Sequence, residues 1–263
     1  RVITDSPTFA PAETTQPRRH SRDVTLTFGG GFVRLTVFLM HRSRSSHPAA
    51  AVALVSGGLD SLCLAVALLR QRRRVLPLYV RCGLIWETVE LSWLHRWLQA
   101  LRQGRLAPLQ VIRLPVRGLY GYHWSLTGRG MPSARSPDAA VYLPGRNVLL
   151  LASAAVVAAK HGISTLAVGL LAGNPFGDAQ PSFLRRMAGC LRQGLGHPIR
   201  IVAPFRRRTK TQLLRRFPQA PFRLTFSCLR PQGLRHCGRC NKCAERRRAF
   251  RQAGLADPTA YAT

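Results

Sequence analysis

From residue 50 onward, short apolar runs alternate with longer segments in which apolar side chains recur at helical spacing. The runs are apolar throughout rather than on one face, which is typical of strands buried on both sides. They cover residues 51–55, 75–80, 109–116, 165–170 and 199–202. The helical segments cover residues 62–69, 86–101, 147–161 and 181–193. This alternation predicts an α/β fold, a parallel sheet with helices on both faces, which binds ligands beyond the carboxyl ends of its strands.

Two stretches interrupt this pattern. Residues 1–47 are rich in Pro, Thr, Ser and Arg, and their β-like patch at 24–28 and 32–40 predicts a hairpin or an irregular lead-in. Residues 120–144 lack a period, which predicts a long connection over the open end of the sheet. We therefore expect an N-terminal extension at 1–47, an α/β domain at 48–222 and a cysteine-containing tail with a helix at 223–263.

Some residues on the apolar segments are expected to serve packing alone. Three of the four tryptophans lie on one face of the predicted helix at 86–101, and tryptophans in such a stripe usually belong to a core. Cys63, Cys82 and Cys190 also lie on apolar segments, so we expect them in the core.

Composition limits the class of protein. The 263 residues suffice for one α/β domain and a small appendage. Forty basic residues, 37 of them arginine, stand against ten acidic residues, a formal charge of +30. Such a surface attracts nucleic acids, but a G+C-rich coding bias would give the same excess, so the charge is only weak support for nucleic-acid contact.

Other features of the composition concern location. Seven cysteines and the lack of a signal-peptide pattern favour a reducing cytoplasm. The longest uncharged apolar stretch, 148–159, is shorter than the roughly 20 residues of a membrane span, so no membrane segment is expected. The sequence does not determine the oligomeric state, and a homo-oligomer is compatible with it.

A segment with two glycines, two serines and an aspartate joins the first apolar run to the first helix. Its backbone N–H groups can turn toward one point, where the helix dipole adds positive potential. The serines can donate hydrogen bonds to phosphate, and the aspartate can serve Mg²⁺ or a ribose. A tight turn with nothing bound would explain two glycines alone, but not all six motif positions. The predicted nucleotide-binding residues here are Val55, Ser56, Gly57, Gly58, Leu59, Asp60 and Ser61.

The lysine of the Walker nucleotide motif is absent from this segment, which instead resembles the PP-loop, Ser-Gly-Gly-x-Asp-Ser. That resemblance implies an enzyme that splits ATP between its α and β phosphates and adenylates an oxygen of its substrate.

Four cysteines near the C-terminus are spaced Cys-x8-Cys-x2-Cys-x2-Cys. Four thiolates can form a closed tetrahedral shell around Zn²⁺, which would be a structural site. Two disulfides within sixteen residues would be unusual in a cytosolic protein, and a redox-active or sulfur-carrying pair is a further alternative. The predicted ligands are Cys228, Cys237, Cys240 and Cys243.

Taken together, these residues resemble the 7-cyano-7-deazaguanine synthases, ligases that make the nitrile precursor of queuosine and archaeosine. The resemblance runs from about residue 51 to residue 262. Besides the loop and the cysteines it includes the segments 144–147 and 169–183 and the pair Thr209-Lys210.

The resemblance implies conversion of 7-carboxy-7-deazaguanine and ammonia to the nitrile, with ATP, Mg²⁺ and Zn²⁺. A carboxylate is a poor electrophile, so adenylation must first supply a leaving group for ammonia to displace. A second activation, of the amide oxygen, then leads to the nitrile. The resemblance places Asp60 and Ser61 at the pyrophosphate, Lys210 at the charge developing on the phosphates, and Arg146 and Asn147 at the nucleotide or base pocket.

Asp178 would hydrogen-bond the N–H edge of the base, although it could instead cap the helix that follows it. This chain departs from the family at Leu59, where members have Gln, and in residues 173–180, where the base should bind. Three alternative functions are therefore compatible with the sequence. They are a branch of the family that activates another acid, a PP-loop enzyme that modifies tRNA, and a zinc-containing nucleic-acid-binding protein without catalytic activity.

Overall fold

The structure, a computed structural model, describes residues 20–28, 31–39 and 50–262, which belong to two units, one within 1–47 and one within 48–263. In the first unit, β1 (His20–Phe28) pairs with β2 (Gly31–Leu39) in antiparallel register, so that Phe28 lies opposite Gly31. Gly29, Gly30 and the end of the predicted patch at Met40 lie outside the described residues.

The second unit contains a five-stranded sheet in the order β5-β4-β3-β6-β7, in which every pair is parallel. This confirms the predicted fold class. Its strands are β3 (Ala51–Leu54), β4 (Val75–Arg81), β5 (Gln110–Arg113), β6 (Thr165–Ala167) and β7 (Arg200–Val202).

Helices fill the connections between these strands and extend the chain beyond β7. They are α1 (Leu59–Arg70), α2 (Glu87–Ala100), α3 (Arg117–Tyr120), α4 (Trp124–Thr127), α5 (Arg146–Lys160), α6 (Pro181–Leu195), α7 (Lys210–Arg216) and α8 (Asn241–Ala253). Short 3₁₀ turns lie at Asp138–Val141, Gly177–Ala179 and Phe222–Leu224. None of the helices in the described part of the chain is long and apolar enough to span a bilayer.

Strand β3 separates two hydrophobic clusters. Val52 and Leu54 pack in one cluster, with α5, α6 and the cysteine group, whereas Ala51, Ala53 and Val55 pack in the other, with α1, α7 and α8. Alternate side chains of a strand point to opposite faces, so helices cover both sides of the sheet.

The sheet order reverses between β3 and β6. From β3 the chain proceeds toward β4 and β5, and from β6 it proceeds toward β7 on the other side. The carboxyl ends of the two strands at such a switch point are where open parallel sheets bind ligands. The last hydrogen bonds to neighbouring strands run from the Val55 N–H to the Leu78 carbonyl and from the Val168 N–H to the Val202 carbonyl. Beyond them the chain leaves the sheet, and β6 ends three residues before the predicted 170.

The three isolated cysteines differ in burial. Cys63 and Cys82 are buried, as predicted, but Cys190 is exposed, so the prediction that it belongs to the core is wrong. Helix α6 buries only Leu184 fully, because a helix at the margin of the sheet covers the core with a narrow stripe, and Cys190 lies outside that stripe.

Candidate functional site

The predicted phosphate loop connects β3 to α1, and hydrogen bonds to its own serines hold its shape. The Ser56 N–H donates to Ser61 Oγ at 3.0 Å, and the Gly58 N–H donates to Ser56 Oγ at 3.1 Å. Two of the amides that we expected to converge on a ligand are therefore used within the loop. The N–H groups of Leu59, Asp60 and Ser61 at the start of α1 make no hydrogen bond with the described residues, and a helix start of this kind favours an anion.

The glycines of the loop serve a different purpose from the one we expected. Neither Gly57 nor Gly58 has a positive φ, so backbone conformation does not demand them. A Cβ atom on Gly57 would lie 2.7 Å from the carbonyl oxygen of Glu90. The Gly57 carbonyl in turn accepts a hydrogen bond from the Phe226 N–H at 2.7 Å. Gly57 is thus required by the close approach of α2.

Charged side chains form a chain of ion pairs at the start of α1. Lys210 Nζ lies 3.6 Å from Asp60 Oδ2 and 2.7 Å from Glu245 Oε1, and Lys242 Nζ lies 2.7 Å from Glu245 Oε2. Burial raises the pKa of the Glu245 carboxyl, but the two lysines outweigh burial and lower it to about 2. Glu245 is therefore ionised at neutral pH.

One carboxylate oxygen of Asp60 lacks a hydrogen-bond partner in the described part of the chain. Burial raises the pKa of its carboxyl, and Lys210 opposes that shift. Within the described residues, its buried Oδ1 atom has no hydrogen-bond partner. A carboxylate oxygen without a hydrogen bond at the predicted phosphate loop suits a hard cation such as Mg²⁺.

A cavity of about 310 Å³ opens at this switch point. Most of the predicted nucleotide-binding residues line it, but Gly57 does not, because it packs against α2. Lys210 lines it as well, and so does the tail of the chain through Phe226, Ser227, Cys228, Leu229 and Lys242. The predicted residues in its wall are Val55, Ser56, Gly58, Leu59, Asp60, Ser61, Arg146 and Lys210.

A second cavity, of about 250 Å³, contains Asn147 and Asp178. Trp86 and Trp124 stack in its wall, with ring centroids 5.8 Å apart. Trp86 is buried in the core, as predicted. It also lines both cavities, because it lies at the start of α2, where the helix faces the open end of the sheet.

Asp178 does not cap the helix that follows it. Its Oδ2 atom accepts from the Asn147 N–H at 2.9 Å and its Oδ1 atom from the Asn147 Nδ2 at 3.0 Å. It thus caps α5, a helix that precedes it by about thirty residues, while α6 has no side-chain cap. Sequence proximity favoured α6, whereas the fold brings the two segments together.

The two cavities adjoin. Trp86, Arg146, Leu229 and Lys242 line both. The Arg146 Nε atom is buried and has no hydrogen-bond partner in the described part of the chain. The positively charged side chains of Arg146 and Lys242 therefore lie where a ligand in one cavity would meet a ligand in the other.

Sequence reasoning missed the roles of two glutamates. Glu87 accepts hydrogen bonds from the N–H groups of Cys82 and Gly83 at 2.6 and 2.9 Å, which fixes the chain at the end of β4. Glu90 lines the first cavity and accepts from the Tyr79 hydroxyl at 2.7 Å. Both residues lie in the first turn of α2, where the helix dipole alone would explain an acidic side chain. Their rarity was a usable signal, because two of only ten acids lie within four residues.

The four predicted metal ligands are together. All four residues are buried, and their sulfur atoms lie within 4.8 Å of one another. Cys228 Sγ accepts hydrogen bonds from the N–H groups of Arg230 and Cys237, at 3.3 and 3.2 Å, and Cys240 Sγ accepts from the Leu229 N–H at 3.5 Å. N–H groups directed at sulfur stabilise thiolate, so the group fits a metal ion.

The turn that contains these cysteines is attached to the long connection between β5 and α5. The Asn241 N–H donates to the Pro132 carbonyl at 3.1 Å, the Ala134 N–H donates to the Arg239 carbonyl at 2.9 Å, and Asn241 Nδ2 donates to the Ser136 carbonyl at 2.8 Å. Further along the same connection, Val141 and Leu143 line the second cavity.

Comparison with known proteins gives consistent matches. The family model described as queuosine biosynthesis protein QueC matches residues 50–254. A 7-cyano-7-deazaguanine synthase from Anaeromyxobacter dehalogenans is 35% identical over 81% of this chain and 95% of its own length. One from Methanothrix thermoacetophila is 31% identical over 80% and 98%.

Among solved structures, a predicted subunit of a tRNA methyltransferase from Methanocaldococcus jannaschii matches with a TM-score of 0.45 and 15% identity, over 80% of this chain and 90% of that one. A likeness this low supports no functional argument.

Proposed function

The chain belongs to the QueC family of queuosine biosynthesis proteins, and from that premise we propose that it makes 7-cyano-7-deazaguanine from 7-carboxy-7-deazaguanine, ammonia and ATP. As a family member it is an enzyme, a ligase that forms carbon–nitrogen bonds. The specific acid and the adenylated intermediate are the parts that we propose.

The observation that best supports this reaction is the junction of the two cavities. Adenylation requires a substrate oxygen to reach the α-phosphate of ATP, so the nucleotide and the acid must lie side by side. One cavity has a phosphate loop and the other has stacked aromatic walls with amide and carboxylate groups. Arg146 and Lys242 lie between them and would offset the repulsion between the carboxylate and the phosphate.

In the first cavity, the amides at the start of α1 would bind the pyrophosphate end of ATP. The hydroxyl oxygens of Ser56 and Ser61 are 3.1 Å apart and share one hydrogen bond, so one hydroxyl hydrogen is left for a phosphate oxygen. Asp60 would hold Mg²⁺ through its unpaired oxygen, and the ion would supply positive charge to the leaving pyrophosphate. Lys210 would stabilise the same developing charge.

In the second cavity, the deazapurine would lie against Trp86 and Trp124. Asp178 would contact its N–H edge, because a carboxylate has about four lone-pair sites and two are used by Asn147. Asp178 would then both orient Asn147 and select the base. Asn174 and Phe176, in the segment that departs from the family pattern, also line this cavity.

The chemistry balances in two rounds. The carboxylate oxygen attacks the α-phosphate and releases pyrophosphate, and ammonia then displaces AMP and loses a proton to give the amide. The amide oxygen then attacks the α-phosphate of a second ATP and releases a second pyrophosphate, and loss of AMP and of the two remaining N–H protons leaves the nitrile. The four cysteines would hold Zn²⁺ as a closed structural site.

The proposal is tested by incubating the enzyme with ATP, Mg²⁺, ammonium and 7-carboxy-7-deazaguanine. We expect the nitrile by mass spectrometry, with two pyrophosphates released per product. A reaction without the acid is the control. Pyrophosphate release that does not depend on this acid, or no nitrile, would exclude the proposal. A parallel set of other deazapurine acids would show whether the altered segment 173–180 selects a different substrate.

A further inference from the structure

Lys242 lies in the turn between two of the cysteines, and its side chain reaches the junction of the two cavities. It is the second residue of α8, directly before Cys243. Hydrogen bonds from Asn241 to the Pro132 and Ser136 carbonyls hold this turn against the long connection. The backbone that carries the lysine is thus held against that connection.

The Lys242 ammonium has hydrogens to spare. Of its three donors, one is used with Glu245 Oε2 at 2.7 Å, its one hydrogen bond to the described residues. Glu245 is itself shared, since its other oxygen accepts from Lys210 at 2.7 Å. One carboxylate therefore serves two ammonium ions, and part of the positive charge of Lys242 is left for a ligand.

The location of that charge identifies the ligand class. In the first cavity, Asp60 already pairs with Lys210. Lys242, by contrast, lines both cavities together with Arg146. An anion that spans the junction would meet both cations. In the proposed reaction, that anion is the carboxylate together with the α-phosphate that it attacks.

We propose that Lys242 binds the reacting carboxylate and the α-phosphate, and that it acts as a substrate-binding cation of the adenylation step. This inference rests on the proposed function for the identity of the acid. Charge grows on the α-phosphate oxygens as the new bond to oxygen forms, so a fixed ammonium there stabilises the transition state more than the separate reactants.

The test compares Lys242→Met with Lys160→Met, a matched change at an exposed lysine at the end of α5 that lines neither cavity. In calorimetric titrations with α,β-methylene-ATP present, we expect Lys242→Met to bind the acid about 10-fold more weakly. We also expect kcat/KM for the acid to fall by about 10²-fold, in line with loss of one transition-state donor. Lys242→Arg should regain part of both losses, because it restores the charge.

Metal content and melting temperature separate binding from folding. A lysine that only pairs with Glu245 would change the melting temperature while leaving acid affinity as in Lys160→Met, and that result would overturn the inference. If Lys242→Met loses its metal, Lys242→Gln, which keeps a polar side chain of similar length, replaces it and is judged by the same affinities.

The two proposals can fail separately. If wild-type enzyme releases no acid-dependent pyrophosphate, the proposed reaction is wrong, and the Lys242 inference fails as stated with it unless another acid is turned over. If the wild type is active and Lys242→Met matches Lys160→Met in affinity and in kcat/KM, the reaction stands and the role of Lys242 is refuted.

Discussion

The substitution Gly57→Ala tests whether close packing, rather than backbone freedom, explains the first glycine of the phosphate loop. The new Cβ atom would lie 2.7 Å from the Glu90 carbonyl oxygen and 3.0 Å from the Glu90 Cγ atom. The carbonyl belongs to the backbone of α2 and cannot rotate away. Either the loop or the helix must therefore move.

The expected cost follows from that clash. Forcing one methyl group into a packed site typically costs about 1–3 kcal/mol. For a unit of about 200 residues, 1 kcal/mol shifts the melting temperature by about 2–4 °C, so we expect a drop of roughly 2–12 °C. A displacement of about 1 Å at the phosphate loop can also cost about 10²-fold in rate.

Gly58→Ala is the control, because it adds the same atom one residue away. Its Cβ would meet the Ser56 hydroxyl at 3.1 Å and the Phe226 carbonyl at 3.7 Å, and its φ of −75° suits alanine. We expect a change in melting temperature of less than about 3 °C. Thermal unfolding of both variants, without nucleotide, gives the comparison. Equal melting temperatures for the two variants would refute the packing explanation.

Three further predictions concern stability. Burial raises the pKa of the Glu90 carboxyl above its ordinary 4.5, and the hydrogen bond from Tyr79 opposes this shift. As the pH rises, the unfolded chain therefore loses this proton before the folded chain does. The free energy of unfolding then falls above about pH 4.5. Glu90→Gln keeps an acceptor for the Tyr79 hydroxyl and should raise the melting temperature at pH 8 more than at pH 5.5. A gain at pH 8 that is smaller than the gain at pH 5.5 would contradict this. Arg246 is buried and donates to the Phe222 carbonyl at 3.0 Å, with Asp257 at 3.6 Å, so Arg246→Met should cost about 3–5 kcal/mol in denaturant unfolding, and a loss below 1 kcal/mol would count against it. Chelation should unfold the tail, because structural zinc contributes on the order of 10 kcal/mol; protease cleavage within 223–263 that Zn²⁺ reverses is the expected result, and unchanged protection would argue against a structural metal.

The sequence predicted those parts of the molecule that depend on local patterns. The apolar runs located all five strands of the sheet, and the helical period located α1, α2, α5 and α6. Strand ends were less accurate, because a run such as 165–170 stays apolar after β6 leaves the sheet at Ala167. Side chains beyond that end face a cavity rather than a neighbouring strand.

The parts that the sequence did not predict depend on contacts between distant segments. Asp178 caps α5 because the loop after β6 folds back over the start of that helix. Trp86 faces both cavities because α2 begins at the open end of the sheet. Contacts between distant segments cannot be predicted from a window of a dozen residues. The cysteine group could be predicted, because its four members lie close together in sequence.

The tail is more closely joined to the proposed nucleotide site than its position at the end of the chain suggests. The Phe226 N–H binds the Gly57 carbonyl inside the phosphate loop, and Glu245 of α8 pairs with Lys210, which pairs with Asp60. The cysteine turn itself supplies Lys242 to the junction of the cavities. A metal ion that fixes this turn would therefore also fix charges around the nucleotide, so metal loss should weaken ATP-analogue binding even though no predicted metal ligand belongs to the phosphate loop.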